Sequence, residues 1–123
     1  MSCSNVVLTV LNGSSNTETI VIGEKTNGIV SAFDFTTTTR IVLEFYDSTD
    51  TLIATVDSDT SPTAIDWSAS PTEGEVVLDL GGEGIAADDY HVRLIQYSPT
   101  KPAGEIVYVT DELYSFDVEV RNV

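Results

Sequence analysis

Bases are scarce in this chain. Five Lys and Arg face twenty Asp and Glu across 123 residues, a formal charge of −15. That balance argues against nucleic-acid binding, because a phosphate backbone is held by neutralising Lys and Arg. It argues equally against an anionic lipid surface. The same charge keeps copies of the chain apart in solution until something places them. There is a single cysteine, Cys3, so no internal disulfide can form, and a reducing cytoplasm is the expected place of synthesis. No apolar run approaches the roughly 18 residues that a membrane helix needs. The opening stretch MSCSNVVLTVLNGSS has neither a basic n-region nor a long apolar core, and no signal peptide is expected.

The scarcity extends to catalytic side chains. His91 is the one histidine. A Ser-His-Asp triad would need it in a cleft beside a nucleophile. It falls instead mid-strand, between two core positions and facing away from them, so it reads as a solvated or interface residue. Cys3 and His91 cannot make a zinc site by themselves. The stretch DSDTSPTAIDWS, from Asp57 to Ser68, opens like a calcium-binding EF-hand loop, with acids at its first and third positions. It has Pro62 where the loop needs glycine and Ser68 where it needs the bidentate glutamate. A looser calcium site among Asp47, Asp50, Asp57 and Asp59 is the remaining metal alternative. LGGEGI, from Leu80 to Ile85, is glycine-rich but opens no helix and carries Glu83, a carboxylate that would compete with phosphate. The sequence therefore points to no enzyme, no cofactor and no metal.

What the chain has is β-branched residues in alternating runs. Val, Ile and Thr suit a pleated surface better than a helix. Strands are predicted over Asn5 to Leu11, Thr17 to Gly23, Ile29 to Phe35, Arg40 to Asp47 and Thr51 to Asp57. Four more are predicted over Glu75 to Leu80, Tyr90 to Tyr97, Glu105 to Thr110 and Leu113 to Val120. In RIVLEFYD, Ile41, Leu43 and Phe45 share one face and Val42, Glu44 and Tyr46 the other. The tight DSTD turn between two of these runs predicts a hairpin. Eight or nine short strands with turns between them predict one all-β domain over residues 1–123, an immunoglobulin-like antiparallel β-sandwich.

Two local features refine this. GIAADDYHV, from Gly84 to Val92, reads as a tyrosine corner, in which Tyr90 returns its hydroxyl to an upstream backbone group. Val92, two residues on, then faces the core where antibody domains carry a cysteine. The acid usual four residues before the tyrosine is absent, since that position is Ala86. SPTAIDWSAS, from Ser61 to Ser70, holds the only tryptophan. Trp67 is expected at a bend between the sheets, plugging the open end of the sandwich, with small neighbours leaving room for the indole. The rival reading is an exposed ligand platform.

The succession from Thr39 to Tyr108 contains SPTAIDW, EVVLDLGGEGI and YHVRLIQYSPTKPAGEIV. In that pattern it resembles small proteins encoded in phage and prophage structural-gene regions. The resemblance implies a virion component with an immunoglobulin-like sandwich and transfers no active-site residue. Residues 1–35 lie outside it and are expected to serve docking. The expected function is capsid decoration, a cement protein on the phage head, made in the host cytoplasm. Its partners would be capsid or tail proteins, with a homo-oligomer as an option and no nucleic acid or membrane. A tail or baseplate component is the near alternative. The alternative of a different class is a host-glycan-binding module using Tyr46, Tyr97 or Tyr108 as an interface.

Overall fold

The computed structural model describes residues 7–15, 17–107 and 115–122. Cys3 and Tyr108 lie outside them. Among these residues, eleven strands run in the order β1 (Val7–Asn12), β2 (Thr17–Val21), β3 (Gly23–Thr26), β4 (Ile29–Ala32), β5 (Arg40–Tyr46) and β6 (Leu52–Asp57). These are followed by β7 (Ile65–Asp66), β8 (Glu75–Asp79), β9 (Asp88–Ser98), β10 (Lys101–Ile106) and β11 (Ser115–Asn122). The large sheet has the order β1-β11-β9-β5-β6, with β10 also paired to β9; the small one has the order β2-β8-β7. The fold is all-β and sandwich-like, and its large sheet is mixed. β1 runs parallel to β11, and every other neighbour in the two sheets is antiparallel.

Alternation explains the layers. Along β9, Tyr90, Val92 and Leu94 are buried, while His91, Arg93, Ile95 and Tyr97 project from the outer face. β9 is the longest strand and the centre of the sheet. β5 covers one of its edges over residues 91–97; β11 and then β10 share the other. Ile41, Leu43 and Phe45 on β5 and Phe116, Val118 and Val120 on β11 add to the same inner layer. Facing them from the small sheet are Ile20, Ile65, Val76 and Leu78 in one continuous apolar cluster. The ring of Tyr90 meets that of Phe45 edge-on, 5.7 Å between centroids at 87°, the geometry that aromatic quadrupoles prefer.

Two strands were not anticipated. β3 carries Gly-Glu-Lys-Thr, with no apolar alternation, and the sequence predicts the second strand to close at Gly23. It forms because Asn27 and Gly28, at φ 53° and 79°, close a tight turn that folds β4 back onto β3. Among the described residues this hairpin pairs only with itself. β7 is two residues within the tryptophan segment, recruited by β8 through the pairings Ile65↔Leu78 and Asp66↔Val77. At the other end of the chain, β10 begins at Lys101, before its predicted start at Glu105. The expected run to Thr110 passes outside the described residues.

Candidate interaction surface

The outer face of the large sheet gathers tyrosine, histidine and arginine side chains from β5 and β9. Register places Tyr46 of β5 opposite His91 of β9, Glu44 opposite Arg93, and Arg40 opposite Tyr97. The Tyr46 and His91 rings stack, 5.5 Å apart at 13°, and the Arg93 guanidinium lies 4.9 Å from the Tyr46 centroid. Tyr46 donates its hydroxyl to Glu44 Oε1 at 2.9 Å. That hydrogen bond, more than burial, holds the Tyr46 phenol above its ordinary pKa, because a carboxylate acceptor favours the protonated phenol. His91 Nε2 lies 2.9 Å from Asp50 Oδ1.

Further along the face, the Arg40 guanidinium sits 4.6 Å from the centroid of Tyr97. It also donates Nε to both Asp57 oxygens, at 3.0 and 3.1 Å, and Nη2 to Oδ2. This fork-on-carboxylate geometry is the stronger kind of charged hydrogen bond. It holds the Asp57 carboxyl below the usual carboxylate range against the opposing effect of partial burial. Beneath Tyr97, the backbone of Gly104 turns through φ 88°. A Cβ there would come within 2.7 Å of Tyr97 Cε2 and 2.9 Å of Ile95 Cγ2. The bare glycine thus receives the ring on the irregular part of β10, where pairing shifts between Lys101 and Glu105.

Tyr46 and Tyr97 therefore stand on one face, each ring already engaged by cationic neighbours. Such contacts are worth about 0.5–1 kcal/mol at exposed sites. A saccharide stacking on either ring would have to displace these partners. Sequence reasoning singled out the tyrosines and missed Arg40, Arg93 and Gly104. The alternation of YHVRLIQY already put the arginine at 93 on the tyrosine side, but cross-strand register was needed to pair it with Tyr46.

Tyr90 is the third residue of β9, with its ring in the core, and its hydroxyl donates to the Ala86 carbonyl at 2.6 Å. The acceptor is the backbone of the residue whose side chain departs from the usual corner pattern. Burial, then the charges of Asp88 and Asp47, push the Tyr90 phenol up. Val92 is fully buried and lies opposite Phe45.

Trp67 is half-buried and packs against the core cluster from the end of β7. The chain crosses between sheets just before it, between β6 and β7. Asp66 fixes the local turn by accepting from Ser68 N at 2.8 Å and Ser68 Oγ at 2.6 Å. The indole lines a depression of about 320 Å³ with Thr39, Ser58, Asp59, Pro62 and Ile65.

The four aspartates considered for calcium do not converge. Asp47 and Asp50 precede β6, and Asp57 and Asp59 close it, so a strand of about 17–20 Å separates the pairs. Asp47 is occupied locally, accepting from Thr49 N at 2.9 Å, Thr49 Oγ1 at 2.7 Å and Thr51 N at 3.0 Å. Among the described residues, no three His, Cys, Asp or Glu side chains form a group that could hold a metal ion. A second depression, about 310 Å³, is lined by Ser48, Asp89, Tyr90, His91, Asp117, Val118 and Glu119. There the histidine is held by Asp50 and Tyr46 rather than by the nearby serine hydroxyl.

Comparison of the chain with protein-family models, with curated proteins and with solved structures finds no match.

Proposed function

We propose that this chain is a non-enzymatic structural protein of a phage virion, a capsid decoration protein carried on the outside of the head. The observation that carries a structural role is the outer sheet face. Its one histidine and its arginines are spent on holding neighbouring side chains, His91 on Asp50 and Tyr46, Arg40 on Asp57 and Tyr97. Such a face is rigid and shaped before any partner arrives, which reduces the ordering cost of assembly. The virion itself is inferred from the resemblance of Thr39 to Tyr108 to phage and prophage structural proteins.

Strand order supports the immunoglobulin-like form of the sandwich. β2-β8-β7 corresponds to strands B-E-D, and β11-β9-β5-β6 to G-F-C-C′ of a variable-type domain. Tyr90 then occupies the corner at the start of F, and Val92 the place of the antibody cysteine. The −15 charge suits a protein made at high copy number in the cytoplasm that must not self-associate before it reaches its lattice. Partners are capsid proteins rather than nucleic acid or membrane, since phosphate surfaces would be repelled.

An antibody raised against the purified chain, applied to intact particles of the encoding phage, is expected to label heads in many copies. Labelling confined to tails overturns capsid decoration. Unlabelled particles overturn the virion assignment, and substrate turnover by the pure chain overturns the non-enzymatic one.

A further inference from the structure

Sheet edges are where a β-protein either defends itself or pairs with something else. β10 carries Lys101, Pro102 and an irregular register. β2 turns Glu18 onto the same side as buried Ile20, an inward-pointing charge. β7 is too short to template a strand. The last residue of β1 is tied to the 81–85 segment, because Asn12 Nδ2 donates to the Ile85 carbonyl at 2.8 Å and Gly13 N to that of Gly81 at 2.8 Å. β6 differs. It ends the order of the large sheet, and among the described residues the backbone from Leu52 to Val56 makes no hydrogen bond besides those to β5, while the Asp57 carbonyl is taken by Thr60 N at 3.1 Å and Ser61 N at 2.8 Å. From Leu52 to Val56 it has no charge, no proline and no glycine.

Its apolar residues are also presented outward. Phe45 pairs with Ala54 and Tyr46 with Leu52, so Ile53 is an extra residue in the ladder. A bulge of this kind breaks the in-out alternation. Leu52 and Ile53 are consequently exposed side by side, at 48% and 47%. The ends of the strand are acidic: Asp50 before it is 85% exposed beside His91, and Asp59 after it is 66% exposed with Arg40 Nε 3.7 Å from its Oδ2, which leaves most of each carboxylate open to a partner.

We propose that the free edge of β6 is a docking edge, and that its occupant is a strand of a partner protein carrying Lys or Arg at both ends. Backbone pairing along Leu52–Val56 would supply the attachment, and the exposed Leu52 and Ile53 an apolar contact. The acidic brackets choose the occupant. A second copy of this chain pairing antiparallel would set Asp50 against Asp59; pairing parallel would set each against itself. Like charges directly opposite are destabilising in either direction. The edge rejects its own copy while favouring a basic-ended strand. This stands whether or not that partner belongs to a virion.

The test uses the whole chain and two synthetic peptides of repeated Thr-Val, one ended by Lys on both sides and the other by Glu. Amide hydrogen exchange locates binding. The Lys-ended peptide is expected to slow exchange across Leu52–Val56, and the Glu-ended one to need about tenfold higher concentration for the same protection. The double variant Asp50→Asn, Asp59→Asn keeps a residue type that tolerates the left-handed backbone at 50. It is expected to bind both peptides alike. The variant Ile53→Lys, checked as folded by an unchanged urea midpoint, is expected to lose protection by the Lys-ended peptide. Protection at β1 or β2 instead, equal protection of the unmodified chain by both peptides, or protection of no edge overturns the proposal. So does dimerisation of the unmodified chain through β6.

Discussion

Replacing Tyr90 by Phe removes one oxygen and leaves a ring that can still pack edge-on against Phe45. What disappears is the 2.6 Å hydrogen bond to the Ala86 carbonyl. Ala86 is exposed, so water can take over its carbonyl in the variant. The loss is therefore the net value of one hydrogen bond, about 1 kcal/mol, without the larger penalty of stranding a buried acceptor. Unfolding entropy near the midpoint is about 2.1 cal/mol/K per residue, and over 123 residues a loss of about 1 kcal/mol lowers Tm by about 4 °C. Tyr90→Ala removes the ring as well and is expected to cost about 3–5 kcal/mol, as for other large aromatic core truncations. Urea unfolding followed by the fluorescence of Trp67 checks both. The single tryptophan packs partly against the core, so its emission reports loss of the sandwich. The Phe variant should show a lower midpoint and an unchanged slope, since the surface exposed on unfolding is the same. A Phe variant within about 0.3 kcal/mol of the unmodified chain would refute the assignment of net stability to the corner hydroxyl; that margin lies below the usual range for a single hydrogen bond.

Two more perturbations address the outer face. Asp57 has its folded-state pKa lowered, first by the hydrogen bonds from Arg40. Its contribution is complete above about pH 4 and is lost as pH falls through the lowered folded value, because the unfolded chain takes up the proton first. Asp57→Asn should therefore flatten the acid limb of stability in urea midpoints measured from pH 5 downward, and an acid limb of unchanged steepness would show that the Arg40 pair does not contribute. Gly104→Ala places a methyl against Tyr97 and Ile95 at positive φ and is expected to destabilise by about 1–3 kcal/mol. Gly82→Ala, with open space around it, should stay within about 0.5 kcal/mol. Equal midpoints for the two variants would mean that the Tyr97 ring is not seated on Gly104.

Much of the architecture is written in local order. Alternation along RIVLEFYD, EVVLDL and YHVRLIQY assigned the inner faces of β5, β8 and β9, because side-chain direction in a strand has a period of two and needs no knowledge of the partner. The strands that escaped, β3 and β7, have no such period: one depends on the Asn27-Gly28 turn and the other on a neighbour already in place. The surface depended on neighbours even more. That Arg93 rests on Tyr46, that Gly104 lies under Tyr97, and that β1 runs parallel to β11 are pairings between distant segments. So is the position of β6 at an open edge between two exposed acids. A residue's inward or outward direction follows from its own strand, and the sequence alone determined it. Which residue it meets, and which edge stays open, follow from the order and register of strands, and only the packed tertiary structure selects those.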